Sequence, residues 1–215
     1  MSRRVALQAA ALAALVALAG VLAQTAVLFA FPAGLLPQPY AVPAAEFMES
    51  VRVTDLTLAF FAADTAFVLG YTLVFAGLYT VTAPRAPVFA ALGLGAGVLT
   101  ALFDSVENAL FIVYALHERA GPLVSDPALT LVYALTTLKW AAAFAALLAF
   151  GLVYPRAAPI ERVIAGLMLL FPLVGVIGIA LPDLIALRGL FFLAGMPLFA
   201  WDFWRRAQGE PVSLS

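Results

Sequence analysis

The sequence predicts an all-α, polytopic membrane protein: a bundle of six transmembrane helices with both termini in the cytoplasm. Three observations carry this reading. Of 215 residues, 65% are hydrophobic and 11% charged, with a mean hydropathy of +1.08, whereas a soluble domain carries about 25% charged residues. Six apolar stretches approach or exceed the roughly 20 residues that a helix needs to cross a bilayer. Basic residues gather on alternate connections between those stretches. The apolar runs are continuous and lack the alternation of barrel strands, so helices are indicated.

The first span, 5–31, has no charged residue. Arg3, Arg4 and the string Ala17-Leu18-Ala19 give it the look of a signal peptide. Its apolar run outlasts the roughly 7–15 residues of a cleaved segment, and an uncleaved helix is expected. In the connection 32–55, Pro32, Pro37, Pro39 and Pro43 exclude a regular helix at the start. Residues 44–53 read as a short amphipathic helix that either rests on the bundle or forms a lid over it.

The second span, 56–80, is interrupted by Asp64, and the third, 88–116, contains Asp104, Glu107 and Asn108. The fourth, 129–153, holds Lys139. The fifth, 163–181, is uncharged, with Pro172 expected to kink it. The sixth, 184–204, has Arg188 near its start and Asp202 near its end. Short connections make neighbouring spans antiparallel within one domain covering residues 1–215.

Arg3, Arg4, Arg85, Arg156, Arg162, Arg205 and Arg206 all fall on one side if the spans alternate, and only Arg52 and Arg119 fall in loops on the other. The richer side is therefore assigned to the cytoplasm. Trp201, Trp204 and Tyr154 are expected in the inner aromatic belt, and Asp202 in surface pairs with Arg205 or Arg206.

Eleven basic against twelve acidic residues leave no surplus for nucleic acid. Cysteine is absent and His117 is the single histidine, which removes thiolate chemistry, disulfides and bis-histidine haem ligation. No metal or cofactor is expected. The expected partners are membrane lipids and a small ligand, proton or cation.

The informative feature is a polar constellation inside the membrane, where ionisable groups are costly and face the bundle interior. At 1.5 Å per residue, Asp64 lies about 12 Å below the outer end of its span, Asp104 about 18 Å, Glu107 about 14 Å and Lys139 about 15 Å. Four charged side chains thus fall near one level in the outer half. Arg188, about 6 Å down the sixth span, is placed above them. Asp104, Glu107 and Asn108 share a helix face by their i, i+3, i+4 spacing, and Thr100 extends it. Tyr71 shares a stripe with Asp64, and Thr136 and Trp140 form a stripe bordering Lys139. Gly93 and Gly97 form a GxxxG pair that permits close helix approach. Three carboxylates against one or two cations leave a negative surplus that a low dielectric does not tolerate. A bound proton, shared by Asp104 and Glu107, or a bound cation resolves it.

The string Phe103-Asp104-Ser105-Val106-Glu107-Asn108 resembles a pattern in uncharacterised small polytopic membrane proteins of bacteria, which carry an intramembrane Asp-x-x-Glu-Asn. The resemblance spans one helix and the general chain size. It implies a bacterial cytoplasmic (inner) membrane location and brings no activity with it.

Three functions fit these residues. The leading one is a buried polar site that binds a small ligand or couples a proton or cation, as in transport. The second is an accessory protein whose polar cluster only sets helix packing. The third is an intramembrane enzyme acting on a lipid or isoprenoid with Asp104 or Glu107 as general acid or base. A cavity beside Asp104, Glu107 and Lys139 separates the first and third from the second.

Overall fold

The computed structural model describes residues 2–30, 54–120, 125–181 and 187–209. Within them lie six helices and no strand: α1 (Arg3–Ala30), α2 (Thr54–Thr82), α3 (Pro87–Ala120), α4 (Asp126–Val153), α5 (Pro159–Ala180) and α6 (Leu187–Gln208). Five of them, α1 to α5, are long and apolar enough to cross a membrane. The shortest helices, α5 and α6, have 22 residues and so extend about 33 Å, the depth of a hydrocarbon core. By length α6 matches its neighbours. It falls short in hydropathy because it carries Arg188 and Asp202, which are 2% and 0% exposed.

Proline sets several helix starts. Pro87 and Pro159 open α3 and α5, and Pro127 stands in the first turn of α4. There the missing N–H has no helical partner to lose. The helix α5 begins before the predicted apolar run because Glu161 supports its start: its carboxylate accepts the N–H groups of Ala157 and Ala158. Intrahelical threonines at 65, 72, 82 and 100 return their hydroxyls to the carbonyl four residues earlier, which satisfies them inside an apolar helix.

The helices form a closed ring. Each packs on the next in the chain, and α6 packs on α1. The α1–α2 seam is the most extensive, and the α5–α6 seam the sparsest of the ring. The buried face of α1 is Ala10, Ala11, Ala13, Ala14, Ala17 and Gly20 with Leu7 and Val21. These small residues admit the backbone of α2. A Cβ on Gly70 would stand 2.6 Å from the Ala17 nitrogen and 2.7 Å from the Ala13 carbonyl oxygen. The expected GxxxG contact of Gly93 and Gly97 takes another form. Gly93 receives the ring of Phe150 from α4, and Gly97 that of Phe75 from α2, so side chains rather than a helix backbone fill the space.

The outer surface is apolar. Leu12, Leu22, Leu69, Leu73, Val88, Leu92, Leu173 and Leu190 are each at least half exposed. Such a surface suits lipid and not water. The chain is an integral membrane protein by helix length, composition and this apolar exterior.

At the end where α4 finishes and α6 finishes, the expected surface pair is instead a buried network. Asp202, fully buried, accepts from Arg205 at 3.0 Å, Arg206 at 2.5 Å and the Tyr154 hydroxyl at 2.6 Å. Arg206 also reaches Glu161 of α5 at 2.5 Å. Tyr154 is therefore core and not part of an aromatic belt, whereas Trp201 and Trp204 are exposed on the outer face. Residues 44–53, read as an interfacial helix or a lid, and the side chain of His117 lie outside the described residues.

Candidate functional site

Inside the ring is a cavity of about 410 Å³, lined by side chains from all six helices. Besides α2, α3 and α4, which carry the acids and Lys139, the wall takes in α1, α5 and α6. The cavity is elongated. On α2 its lining runs from Phe60 to Leu78, about 27 Å along the helix axis. Asp64, Asp104, Glu107, Lys139 and Arg188 line one part of it. Toward the ends of α2, α4 and α6 the wall is Val74, Phe75, Leu78, Leu147, Met196 and Phe199. A charged chamber thus opens into an apolar one.

The charged chamber is built around Lys139. Its ammonium donates to Asp104 Oδ1 at 3.0 Å and also to Glu107 Oε2. The three side chains are 15%, 6% and 5% exposed. The Lys139 ammonium stands between the two carboxylates. The outer oxygens of this cluster are satisfied as well. Tyr71 of α2 donates its hydroxyl to Asp104 Oδ2 at 2.8 Å, and Thr136 of α4 donates to Glu107 Oε1. One ion cluster therefore joins α2, α3 and α4. The i, i+3 spacing on α3 aims both acids at α4, where Lys139 and Thr136, three residues apart, meet them.

Asp64 lies beside that cluster, close enough to interact with Asp104, Lys139 and Asn108. It accepts from the amide of Gln24 on α1 at 2.8 Å and faces the cavity. Gln24 carries no charge and was not among the sequence candidates. An amide in an apolar helix, one of two with Gln8, was the available signal. Asn108 is 4% exposed on the face shared with Asp104 and Glu107, and Thr100 lies one turn below, 4% exposed and in the cavity wall.

Arg188 lies where its sequence position put it, near the start of α6, but its contacts differ from those expected. It makes no ion pair among the described residues. Nη2 donates to the Gly175 carbonyl on α5 at 2.8 Å, and the guanidinium carbon lies 4.3 Å from the Trp140 ring centre. Nε and Nη1 are buried without a hydrogen-bond partner among the described residues. The Lys139 nitrogen lies 5.7 Å from the same indole, so Trp140 is shared by two cations, as cation–π attraction favours. An aromatic cluster of Trp140, Phe144, Phe171, Phe191 and Phe192 surrounds this corner. Among the described residues no three acidic or histidine side chains come together as a metal site.

No family model matches the chain, and no curated protein or solved structure matches it either.

Proposed function

We propose that this chain is a six-span protein of the bacterial cytoplasmic membrane, with its termini inside, whose central cavity binds a small ligand at the charged level of the outer half of the bilayer. The observation that carries the reading is the cavity of about 410 Å³ beside Asp64, Asp104, Glu107 and Lys139. Its volume is that of a small-molecule site, and its wall pairs a few polar groups with a mainly apolar lining. A polar cluster that only set helix packing requires no such space. The sixth span is α6, whose buried Arg188 and Asp202 are screened from lipid by the ring. Coupling of ligand movement to a proton or cation is assigned to Asp64, a cavity-lining carboxylate that borders the Lys139 cluster and makes no ion pair with Lys139.

Native mass spectrometry of the protein released from lipid nanodiscs tests the binding. Ala143 lines the cavity and is buried. The expected result is a bound small molecule on the unaltered protein and reduced occupancy on Ala143→Phe. Equal occupancy of both proteins, or none on either, overturns the reading.

A further inference from the structure

Arg188, in the cavity wall, carries two buried guanidinium nitrogens without a hydrogen-bond partner among the described residues. Buried guanidinium groups are nearly always paired, because an unsatisfied charged donor in a low dielectric is costly. Here one nitrogen has a neutral carbonyl, one face has an indole, and Nε and Nη1 have nothing among the described residues. The residue is 2% exposed, so bulk water does not answer for those donors.

Two further features lie at the same place. Arg188 and Gly189 lie near the N-terminal end of the described part of α6, the end toward which the helix dipole is positive. Gly189 lines the cavity, and a Cβ built on it meets nothing within 4 Å. The space beside Gly189 is therefore open to the cavity. A forked guanidinium with unused donors suits a planar or tetrahedral oxyanion.

Lys139 does not compete for that role. Its ammonium is held by Asp104 and Glu107, which in turn are held by Tyr71 and Thr136. The acids face Lys139, and Asp64 faces Gln24 of α1, so the wall around Arg188 is built from Trp140, the Gly175 carbonyl and phenylalanine rings. Below it, from Arg188 to Phe199 along α6, the cavity continues for about 16 Å past apolar side chains.

We infer that the cavity takes a single-chain amphiphile with an anionic head, carboxylate or phosphate, the head held by Arg188 at the start of α6 and the chain lying in the apolar chamber. This rests on the cavity-binding reading above and names its ligand class.

Trp140 reports on the corner directly. Trp201 and Trp204 face outward, and changing both to Phe leaves Trp140 as the single indole. In this background, reconstituted in nanodiscs, quenching is measured with terminally brominated decanoate, decanol and decylamine. The expected result is saturable quenching by the decanoate at concentrations where the alcohol and the amine give only the linear quenching of lipid partitioning. Arg188→Gln should weaken the decanoate about 10- to 100-fold, the loss of a charge-assisted hydrogen-bond pair, and Arg188→Lys should retain most of it. Gly189→Leu, which fills the open space and leaves Arg188 in place, should also abolish it.

Saturable quenching by all three probes alike, insensitive to Arg188→Gln, overturns the anionic head while cavity binding stands. Preference for the amine overturns it in favour of Asp64 as the receptor. Displacement of the decanoate by inorganic phosphate at equal concentration overturns the amphiphile and leaves a site for free oxyanions. Linear quenching by every probe overturns this inference, and with an empty protein in native mass spectrometry it overturns the cavity-binding reading too.

Discussion

Tyr154 and Asp202 meet at 2.6 Å, the phenol donating from the foot of α4 to a fully buried carboxylate on α6. The same carboxylate holds Arg206, which crosses to Glu161 on α5. One knot of side chains thus pins three helix ends together on the side opposite the charged chamber.

The pH dependence of that knot is predictable. Burial, then the Asp202 carboxylate, pushes the Tyr154 phenol well above its usual range. An unfolded tyrosine ionises near pH 10, so above that pH the folded chain keeps a proton that the unfolded chain loses. The stabilisation is complete below about pH 10 and declines as pH rises through the folded value. Unfolding curves of the native protein should fall off more steeply in alkali than those of Tyr154→Phe. Parallel curves would show that the phenol titrates freely. At neutral pH the same variant should lose about 1.5 kcal/mol, a hydrogen bond to a charged group.

The Lys139 cluster should behave as a unit. Lys139→Met leaves Asp104 and Glu107 buried together without a cation and should cost about 3–5 kcal/mol. Changing all three at once, with Asp104→Asn and Glu107→Gln, removes the charges together and should recover most of that loss. Thermal unfolding in one detergent compares them. A triple variant as unstable as the single one would mean that the three side chains act independently.

Packing of α1 on α2 gives a third test. At Gly70 a methyl group meets backbone atoms that cannot turn aside, and Gly70→Ala should destabilise by about 1–3 kcal/mol. At Gly95 nothing lies within 4 Å of the added Cβ, and Gly95→Ala should be neutral or slightly stabilising. Equal melting temperatures for the two variants would contradict the close α1–α2 seam.

Topology is tested by reporter fusions. Seven arginines on one side place the fusions after Pro84 and Pro155 in the cytoplasm and those near Pro39 and Pro122 outside. One stable fusion with the opposite reading reverses the assignment.

Helices were legible in the sequence because hydropathy is a sum over twenty residues and tolerates local error. Their ends were less so. The fifth apolar run begins at Val163, yet α5 starts at Pro159, where the Glu161 carboxylate caps it. The sixth run ends at Trp204, yet α6 continues to Gln208, and the pairs of Asp202 with Arg205 and Arg206 that the spacing predicts form inside it. In the chamber, helical rise put Asp104, Glu107 and Lys139 at one depth, and α-helical spacing put Tyr71 and Thr136 on facing stripes. Rise and spacing carry no information on rotation between helices. That is why Arg188 was set against the carboxylates and stands instead on Trp140, and why Gln24, neutral in an apolar helix, drew no notice.

Closure of the ring also has a consequence for how the protein is made. Among these six helices α6 is made after the other five, and it is the least suited of them to enter lipid unaided, with an arginine near one end and a buried aspartate near the other. Its neighbours along the ring are α1 and α5, and its seam with α1 is the larger. The surface of α1 therefore stands ready while α2 to α5 are made and then serves as a template for the insertion of α6. In this light the alanine-rich surface of α1 is a recognition surface used twice: first by α2, and later by α6.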